Sequence, residues 1–163
     1  MPVGDDDRSF AVSCQRGEGG WQVDLLPPRL TGDLQGLVDT LRQQGGSGDV
    51  LGLVDVADEF FVAVRLQGGR ERLLLSDVTA GVAWDLANEV LERLGMDVPD
   101  EDELEDVWPV GDLSMFADLG LDEMELGAVL ADLDAYADEM LVAIARRLGF
   151  ADALERAVTG ASR

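Results

Sequence analysis

Apolar and polar residues alternate along much of residues 1–95, and this alternation leaves few folds open. Five segments there either have the period of two that a β-strand requires or form a short apolar run of the length of a buried strand. Glycine-containing turns separate some of them at hairpin spacing. The predicted strands are "SFAVSCQ", "WQVDLL", "DVLGLVDV", "EFFVAVRLQ" and "RERLLLS".

Two further segments of residues 1–95 have the spacing of amphipathic helices. In "TGDLQGLVDTLRQQGG" the leucines and the valine fall on one helical face, and "SDVTAGVAWDLANEVLERLG" has a similar apolar stripe. Ser76 is the predicted N-cap of the second helix. The element order β-β-α-β-β-β-α predicts an α+β fold: an antiparallel five-stranded sheet with helices on one face.

The sequence changes character after residue 95. Residues 96–111 are acidic and contain Pro99 and Pro109, which favours a linker. From Asp112 onward the strand-like alternation gives way to short segments with helical spacing. We therefore predict three parts: an α+β sheet domain over 1–95, an acidic linker over 96–111 and a small C-terminal helical lobe over 112–163.

The charge of the chain is strongly negative and unevenly distributed. The 163 residues include 34 acidic and 12 basic side chains, which gives a net charge of −22. Residues 96–163 hold 18 of the acids but only 4 of the arginines. Nucleic-acid affinity depends on basic side chains that displace counterions, so direct nucleic-acid binding is not expected. A basic protein partner would be drawn to the C-terminal part.

Several residue types that catalysis commonly uses are missing. The sequence has no histidine and no lysine, which removes the commonest general base and every Schiff-base lysine. Ser76 and Asp77 have no base to complete a catalytic triad, and Cys14 lies in an apolar stretch typical of a small core residue. We therefore expect that the chain is not an enzyme, with catalysis by carboxylates alone left open.

The carboxylates of the C-terminal part do not match a metal-binding template. A calcium loop of the EF-hand type needs a glycine at its sixth position and a glutamate at its twelfth. Counting from Asp97, Asp100 or Asp132 does not produce this pattern. We expect no cofactor and no metal, and we interpret residues 100–106 as a solvated acidic segment.

Six residues are candidates for contact with a protein partner. Trp108 lies in the charged segment, where it either anchors the linker to the sheet domain or binds a partner. Phe60 and Phe61 point to opposite faces of one strand, so one of them is covered by the C-terminal helices or exposed to a partner. Besides Trp108 and Phe61, the candidates are the acidic residues Asp122, Glu123, Asp138 and Glu139.

The sequence also gives expectations about location and assembly. No apolar run approaches the roughly 20 residues that cross a bilayer. The first residues lack the basic and apolar regions of a secretory signal, and a single cysteine cannot form an internal disulfide. These features favour a cytoplasmic protein without membrane contact. A homodimer formed through a hydrophobic face stays open.

Three segments of the sequence resemble a known family. They are "LSDVTA", "GDLSMFADLGL" and "DEMLVAIARRLGF", and the similarity extends from the first hairpin to about residue 157. They resemble the actinobacterial tRNA adenosine deaminase-associated proteins, which are named for being encoded next to a tRNA-specific adenosine deaminase. The resemblance implies no established activity and no defined site residues. Zinc deaminases need H-x-E and P-C-x-x-C motifs, so a chain without histidine is not the deaminase itself.

Two functions are compatible with these features. In the first, the chain is a non-catalytic acidic accessory protein that binds a tRNA adenosine deaminase and regulates or stabilises it. In the second, it is an acidic chaperone or antitoxin-like module that binds an unrelated client protein. Dimerisation through a hydrophobic face would favour the second function, and a stable monomer would count against it.

Overall fold

One antiparallel sheet lies at the centre of the computed structural model, which describes residues 9–17, 19–45, 49–68, 70–97, 109–132 and 135–161. Its strands are β1 (Phe10–Gly17), β2 (Gly20–Leu25), β3 (Asp49–Val56), β4 (Phe60–Gln67), β5 (Arg70–Leu75) and β6 (Val110–Gly111). They follow the order β2-β1-β3-β4-β5-β6 across the sheet. Strands β3 and β4 therefore occupy its middle and are paired along their whole length.

Five α-helices of the described residues pack against this sheet. They are α1 (Leu34–Gly45), α2 (Asp85–Leu94), α3 (Glu123–Leu130), α4 (Ala137–Leu148) and α5 (Ala151–Ala161). A short 3-10 turn precedes each of α1, α2 and α3. The predicted α+β class is confirmed.

Helices cover both faces of the sheet. Phe60, Val62 and Val64 of β4 enter a core shared with α1 and α2. Phe61 and Ala63 of the same strand enter a second core, shared with α3, α4 and α5. The two helices predicted within residues 1–95, α1 and α2, lie on the same face, as predicted. The C-terminal helices cover the other face because β3 and β4 are apolar on both sides, and each side needs a cover.

The sixth strand comes from the segment predicted as a linker. Val110–Gly111 pairs with Leu74 and Leu75 of β5. The prediction of five strands is wrong because a two-residue strand is too short to show an alternating pattern. The division into parts over 1–95, 96–111 and 112–163 stays a prediction, and most of its linker lies outside the described residues.

Helix α2 does not begin at the predicted cap. Ser76 is buried, and its Oγ accepts a hydrogen bond of 2.9 Å from the backbone N–H of Phe61. Asp77 instead caps a 3-10 turn by accepting the backbone N–H of Thr79 at 2.9 Å. The prediction of Ser76 as N-cap is wrong because its hydroxyl connects the end of β5 to β4, and α2 starts only at Asp85.

The buried side chain of Arg65 connects β4 to the C-terminal part of the chain. Arg65 is 1% exposed. The guanidinium donates to both carboxylate oxygens of Asp118, at 2.6 and 2.9 Å, and to the carbonyl oxygen of Met115 at 2.5 Å. It also donates to both oxygens of Asp49 on β3, at 3.1 and 2.6 Å. One cation therefore holds two strands and the segment before α3 in a fixed arrangement.

A second arginine forms a similar connection from the next strand. Arg72 on β5 donates from Nε to Asp112 at 2.6 Å and from Nη2 to Ser114 at 3.2 Å. The hydrogen bond from Arg72 lowers the pKa of Asp112 to about 2, so this carboxylate is charged at neutral pH. The chain leaving β6 is thus fixed against β5 before it reaches α3.

Replacing Arg65 by Met should lower the free energy of unfolding by about 2–3 kcal/mol, because the Met115 carbonyl and two carboxylates lose their donor. Asp49 and Asp118 are 48% and 57% exposed, so water compensates for part of the loss. Urea denaturation measures the change. Arg29→Met, at an exposed arginine, is the control for the loss of one positive charge. Equal stability of the two variants would contradict the structural role of Arg65.

Gly111→Ala should lower the free energy of unfolding by about 2 kcal/mol, because the residue has φ 115° and L side chains rarely adopt this conformation. A Cβ at this position would also lie 2.2 Å from the carbonyl oxygen of Leu73. The matched control is Gly127→Ala within α3, where a Cβ meets nothing within 4 Å. This control should raise the stability by about 0.5–1 kcal/mol. A neutral Gly111→Ala variant would show that β6 does not contribute to the folded state.

Candidate protein-binding surface

Two of the predicted acidic residues lie at the start of α3. Asp122 is the N-cap, and its Oδ1 accepts the backbone N–H of Glu125 at 2.8 Å. Glu123 follows in the first turn, and both Asp122 and Glu123 are exposed. Carboxylates suit this position because the N-terminal end of a helix carries a partial positive charge.

The other two predicted acidic residues lie in the first turn of α4, and both are exposed. The Oε1 of Glu139 accepts the backbone N–H of Tyr136 at 3.1 Å. The backbone N–H of Asp138 donates to Oδ1 of Asp58 at 2.9 Å, in the turn between β3 and β4. Partial desolvation and the carboxyl of Asp58 raise the pKa of Asp138. The start of α4 is therefore attached to the sheet through this turn.

The structure does not bring the two acidic pairs together. Arg147, in the last turn of α4, forms an ion pair with Glu125 and donates to the carbonyl oxygen of Gly120. The end of α4 therefore lies beside the start of α3. At about 1.5 Å per residue, Asp138 lies about 14 Å from Arg147 along the helix axis. We call α3 and α4 together the helical hairpin. The four predicted acids thus occupy its two ends.

An open groove lies between α3 and α4, and its volume is about 400 Å³. Most of its lining is apolar, and Asp132 and Glu139 add two carboxylates. Of the predicted acids only Glu139 lines it. The groove gives no signal in the sequence, because its alanines are also ordinary helix formers. We call it the α3–α4 groove, lined by Ala128, Val129, Asp132, Ala135, Glu139, Met140 and Ala143.

Two large side chains close to this groove are exposed to solvent. Met124 on α3 is 85% exposed and lies one helical turn before Ala128, on the same side of the helix. Tyr136, which precedes α4 and follows Ala135, is 62% exposed. The helical hairpin therefore presents apolar surface beyond the groove itself.

Two predicted partner contacts lie elsewhere. Phe61 is fully buried in the core shared with the C-terminal helices. This corrects its selection as a contact for a partner, because the helices α3 to α5 cover that face of the sheet. Trp108 lies outside the described residues, and its role stays a prediction.

A cluster of carboxyl groups that was not predicted from the sequence lies where the β3–β4 turn meets α4. Asp55, at the end of β3, is 1% exposed and accepts the backbone N–H of Asp58 at 2.9 Å. Burial and the negative charge of Asp58 raise the pKa of Asp55 to about 8. The residues of the turn, Ala57 and Asp58, have φ of 53° and 61°. Asp55 holds this left-handed turn in place from inside the fold.

The described part of the chain offers few reactive groups. Cys14 is buried, and burial raises the pKa of its thiol far above the usual value. No group of three or more His, Cys, Asp or Glu side chains in that part could hold a metal ion. Within the same residues, no helix is long and apolar enough to cross a membrane.

Comparison with known proteins identifies the family. The family model for Rv3753c-like tRNA adenosine deaminase-associated proteins matches residues 9–151. The chain belongs to this family. Protein Rv3753c of Mycobacterium tuberculosis (strain ATCC 25618 / H37Rv) is 43% identical over 159 residues, which cover 96% of this chain and 91% of that protein. No solved structure matches the chain.

The match to the tRNA adenosine deaminase-associated family includes most of the structure described above. Residues 9–151 contain all six strands, helices α1 to α4 and every residue that lines the α3–α4 groove. The family predicted from the three sequence segments is confirmed. The groove therefore belongs to the part of the chain that carries the family resemblance.

Asp55→Asn should make the stability of this protein less dependent on pH. The folded chain keeps a proton on Asp55 up to about pH 8, whereas the unfolded chain loses it near the ordinary pKa of 3.8. Asp55 therefore lowers the free energy of unfolding as the pH rises from about 4 to 8, by at most about 1.4 kcal/mol per pH unit. The Asn variant lacks this contribution.

Urea denaturation at pH 5 and pH 8 measures the difference. Asp39→Asn, at an exposed carboxyl on α1, is the matched control and should retain the slope of the wild type. An Asp55→Asn variant whose stability falls with pH as steeply as that of the wild type would rule out a buried, protonated Asp55.

Proposed function

We propose that this chain is a non-catalytic accessory protein that binds a tRNA adenosine deaminase through its acidic helical hairpin and regulates or stabilises that enzyme. The observation that carries the proposal is the family membership, because the description of the family refers to association with such a deaminase. The chaperone or antitoxin-like alternative has no observation of its own in its favour.

The distribution of charge supports this partner. An enzyme that acts on tRNA needs basic surface to bind the phosphate backbone. Asp122, Glu123, Asp138 and Glu139 are exposed on the helical hairpin, where such a surface could meet them. Charge complementarity of this kind speeds association and selects the partner. The acidic hairpin would then contact the protein and not the tRNA.

The proposed lack of catalysis rests on the sequence and on Cys14. The chain has no histidine, and its one cysteine is buried with a raised thiol pKa. A buried thiol that keeps its proton is a poor nucleophile. The carboxylates described above cap helices, form ion pairs or line the groove, and Asp55 is enclosed in the fold.

The test is complex formation between this chain and the tRNA adenosine deaminase of the same organism. We expect the two purified proteins to elute together at about 0.15 M salt and to separate at about 1 M salt, because salt screens the charges of exposed residues. Two measurements on the deaminase, with and without this chain, distinguish regulation from stabilisation. They are its activity on tRNA and the melting temperature of the enzyme. The absence of a complex at low micromolar concentrations would overturn the proposal.

A charge variant locates the contact. Neutralising four exposed acids of the hairpin should weaken the complex at least about tenfold, since several charge pairs are lost together. Asn or Gln at these positions still accepts the capping hydrogen bonds. The hairpin variant combines Asp122→Asn, Glu123→Gln, Asp138→Asn and Glu139→Gln. The matched control carries four neutralised acids in and beside α1 and α2, namely Asp39→Asn, Asp85→Asn, Glu92→Gln and Asp97→Asn, and should bind like the wild type.

A further inference from the structure

The α3–α4 groove lies between two packed helices and has an apolar lining, which suits the docking of a third helix. Two packed helices leave a long furrow between them, into which the side chains of a third helix fit as a ridge. Ala128 and Ala143 are small, so a third helix can approach closely. Met140 adapts its shape to different apolar side chains. Exposed Met124 extends the apolar surface along α3.

The charged residues that line this groove are all acidic. Asp132 and Glu139 line it, and Asp138 is exposed beside Glu139. The sequence contains no arginine and no lysine between Arg93 and Arg146. Arg146 and Arg147, in the last turn of α4, are not among the residues that line the groove, and Arg147 pairs with Glu125. The potential at the groove favours a cationic ligand.

Other occupants fit less well. A second copy of this chain carries the same net charge of −22, so self-association at an acidic groove is opposed by repulsion. Binding of nucleic acid at this groove is opposed by the same repulsion between negative charges. An extended peptide gains affinity by pairing with a sheet edge, and the groove is built from helices whose backbone groups are already paired. A basic amphipathic helix satisfies both the apolar lining and the charge.

We infer that the α3–α4 groove binds a basic amphipathic helix of the partner protein. The identity of that partner rests on the proposed function. Apolar residues at i, i+3 or i+4, and i+7 of the partner helix would pack on Ala128, Met140 and Ala143. Its lysine or arginine side chains would lie beside Asp132 and Glu139. The contact thus combines apolar burial with charge pairing along one helix.

Another cleft on the described part of the chain lacks these features. It has a volume of about 280 Å³ and lies by the 3-10 turn before α1 and the start of α2. Trp84 and Leu86 line it, but Asp85 is its one charged residue. It therefore offers little charge complementarity to any partner.

The first experiment uses a designed peptide of about 18 residues, long enough for a helix, with leucines on one face and lysine and arginine on the other. Its control is a peptide of the same composition in which the leucines are scattered. We expect the amphipathic peptide to bind at least about tenfold more tightly in fluorescence anisotropy at about 0.15 M salt, because only it can bury an apolar face. Equal binding of the two peptides would show charge attraction alone and overturn the inference.

The binding position is tested in the full chain by substitution. Ala128→Arg, at an exposed position, places a long cationic side chain in the groove and should weaken peptide binding at least about tenfold. The matched control is Gln43→Arg, at an exposed position of α1, which adds the same charge on the other face of the sheet. This variant should bind the peptide as the wild type does. Circular dichroism confirms that both variants are folded. Equal weakening in both variants would contradict a site in the groove.

The same two variants are then tested with the tRNA adenosine deaminase. Binding that is lost in Ala128→Arg and kept in Gln43→Arg supports both the groove and the partner. Binding that is unchanged in Ala128→Arg overturns the groove as the contact while the proposed function stands. If the amphipathic peptide binds the groove and the deaminase does not bind the chain at all, the proposed partner is wrong while the groove retains its ligand class.

Discussion

The arrangement of the whole molecule depends on the buried guanidinium of Arg65. Placing a charge under a layer of helices costs free energy unless hydrogen bonds surround it. Here Asp49 and Asp118 supply the opposite charge, and the carbonyl of Met115 accepts a further bond. A hydrophobic side chain would leave the position of the helices to packing alone. The arginine adds directional bonds and so fixes where the segment before α3 crosses the sheet.

The sheet separates two helical layers because both of its faces are apolar, and this attachment fixes the position of the C-terminal layer. Arg72 and β6 continue the attachment along the next strand, and the hydrogen bond from Asp138 to Asp58 secures the start of α4. The helical hairpin that forms the groove is therefore fixed to the sheet at several points. A groove whose two walls are held in this way needs little ordering when a ligand binds, which lowers the entropic cost of association.

Local patterns in the sequence predicted the local structure, and long-range contacts decided the rest. Five strands and the helical nature of the C-terminal part could be predicted because their periods span enough residues. Strand β6 has two residues and exists only because β5 offers an edge. Ser76 resembles a helix cap in sequence, but its partner is the backbone of Phe61, on another strand. Asp55 gives no local sign of its raised pKa, which comes from burial and from Asp58.

The candidate site was predicted in part for the same reason. Acidic residues at helix starts are visible in the sequence, and Asp122, Glu123, Asp138 and Glu139 are exposed as a partner contact requires. Which of them share a surface depends on how α3 and α4 pack, and only Glu139 lines the groove. For Phe61, the alternation of the strand predicted which face of the sheet it lies on. The alternation could not show that the C-terminal helices cover that face.

The enclosure of Cys14 has a practical consequence for experiments on this protein. The sequence has no second cysteine, and this one is buried with a thiol that keeps its proton. Maleimide reagents attack exposed thiolates, so they should leave the native chain unmodified. A cysteine introduced on the surface would then accept a fluorophore or a spin label at one chosen position. Distances between the helical hairpin and a partner could be measured without first removing a native residue.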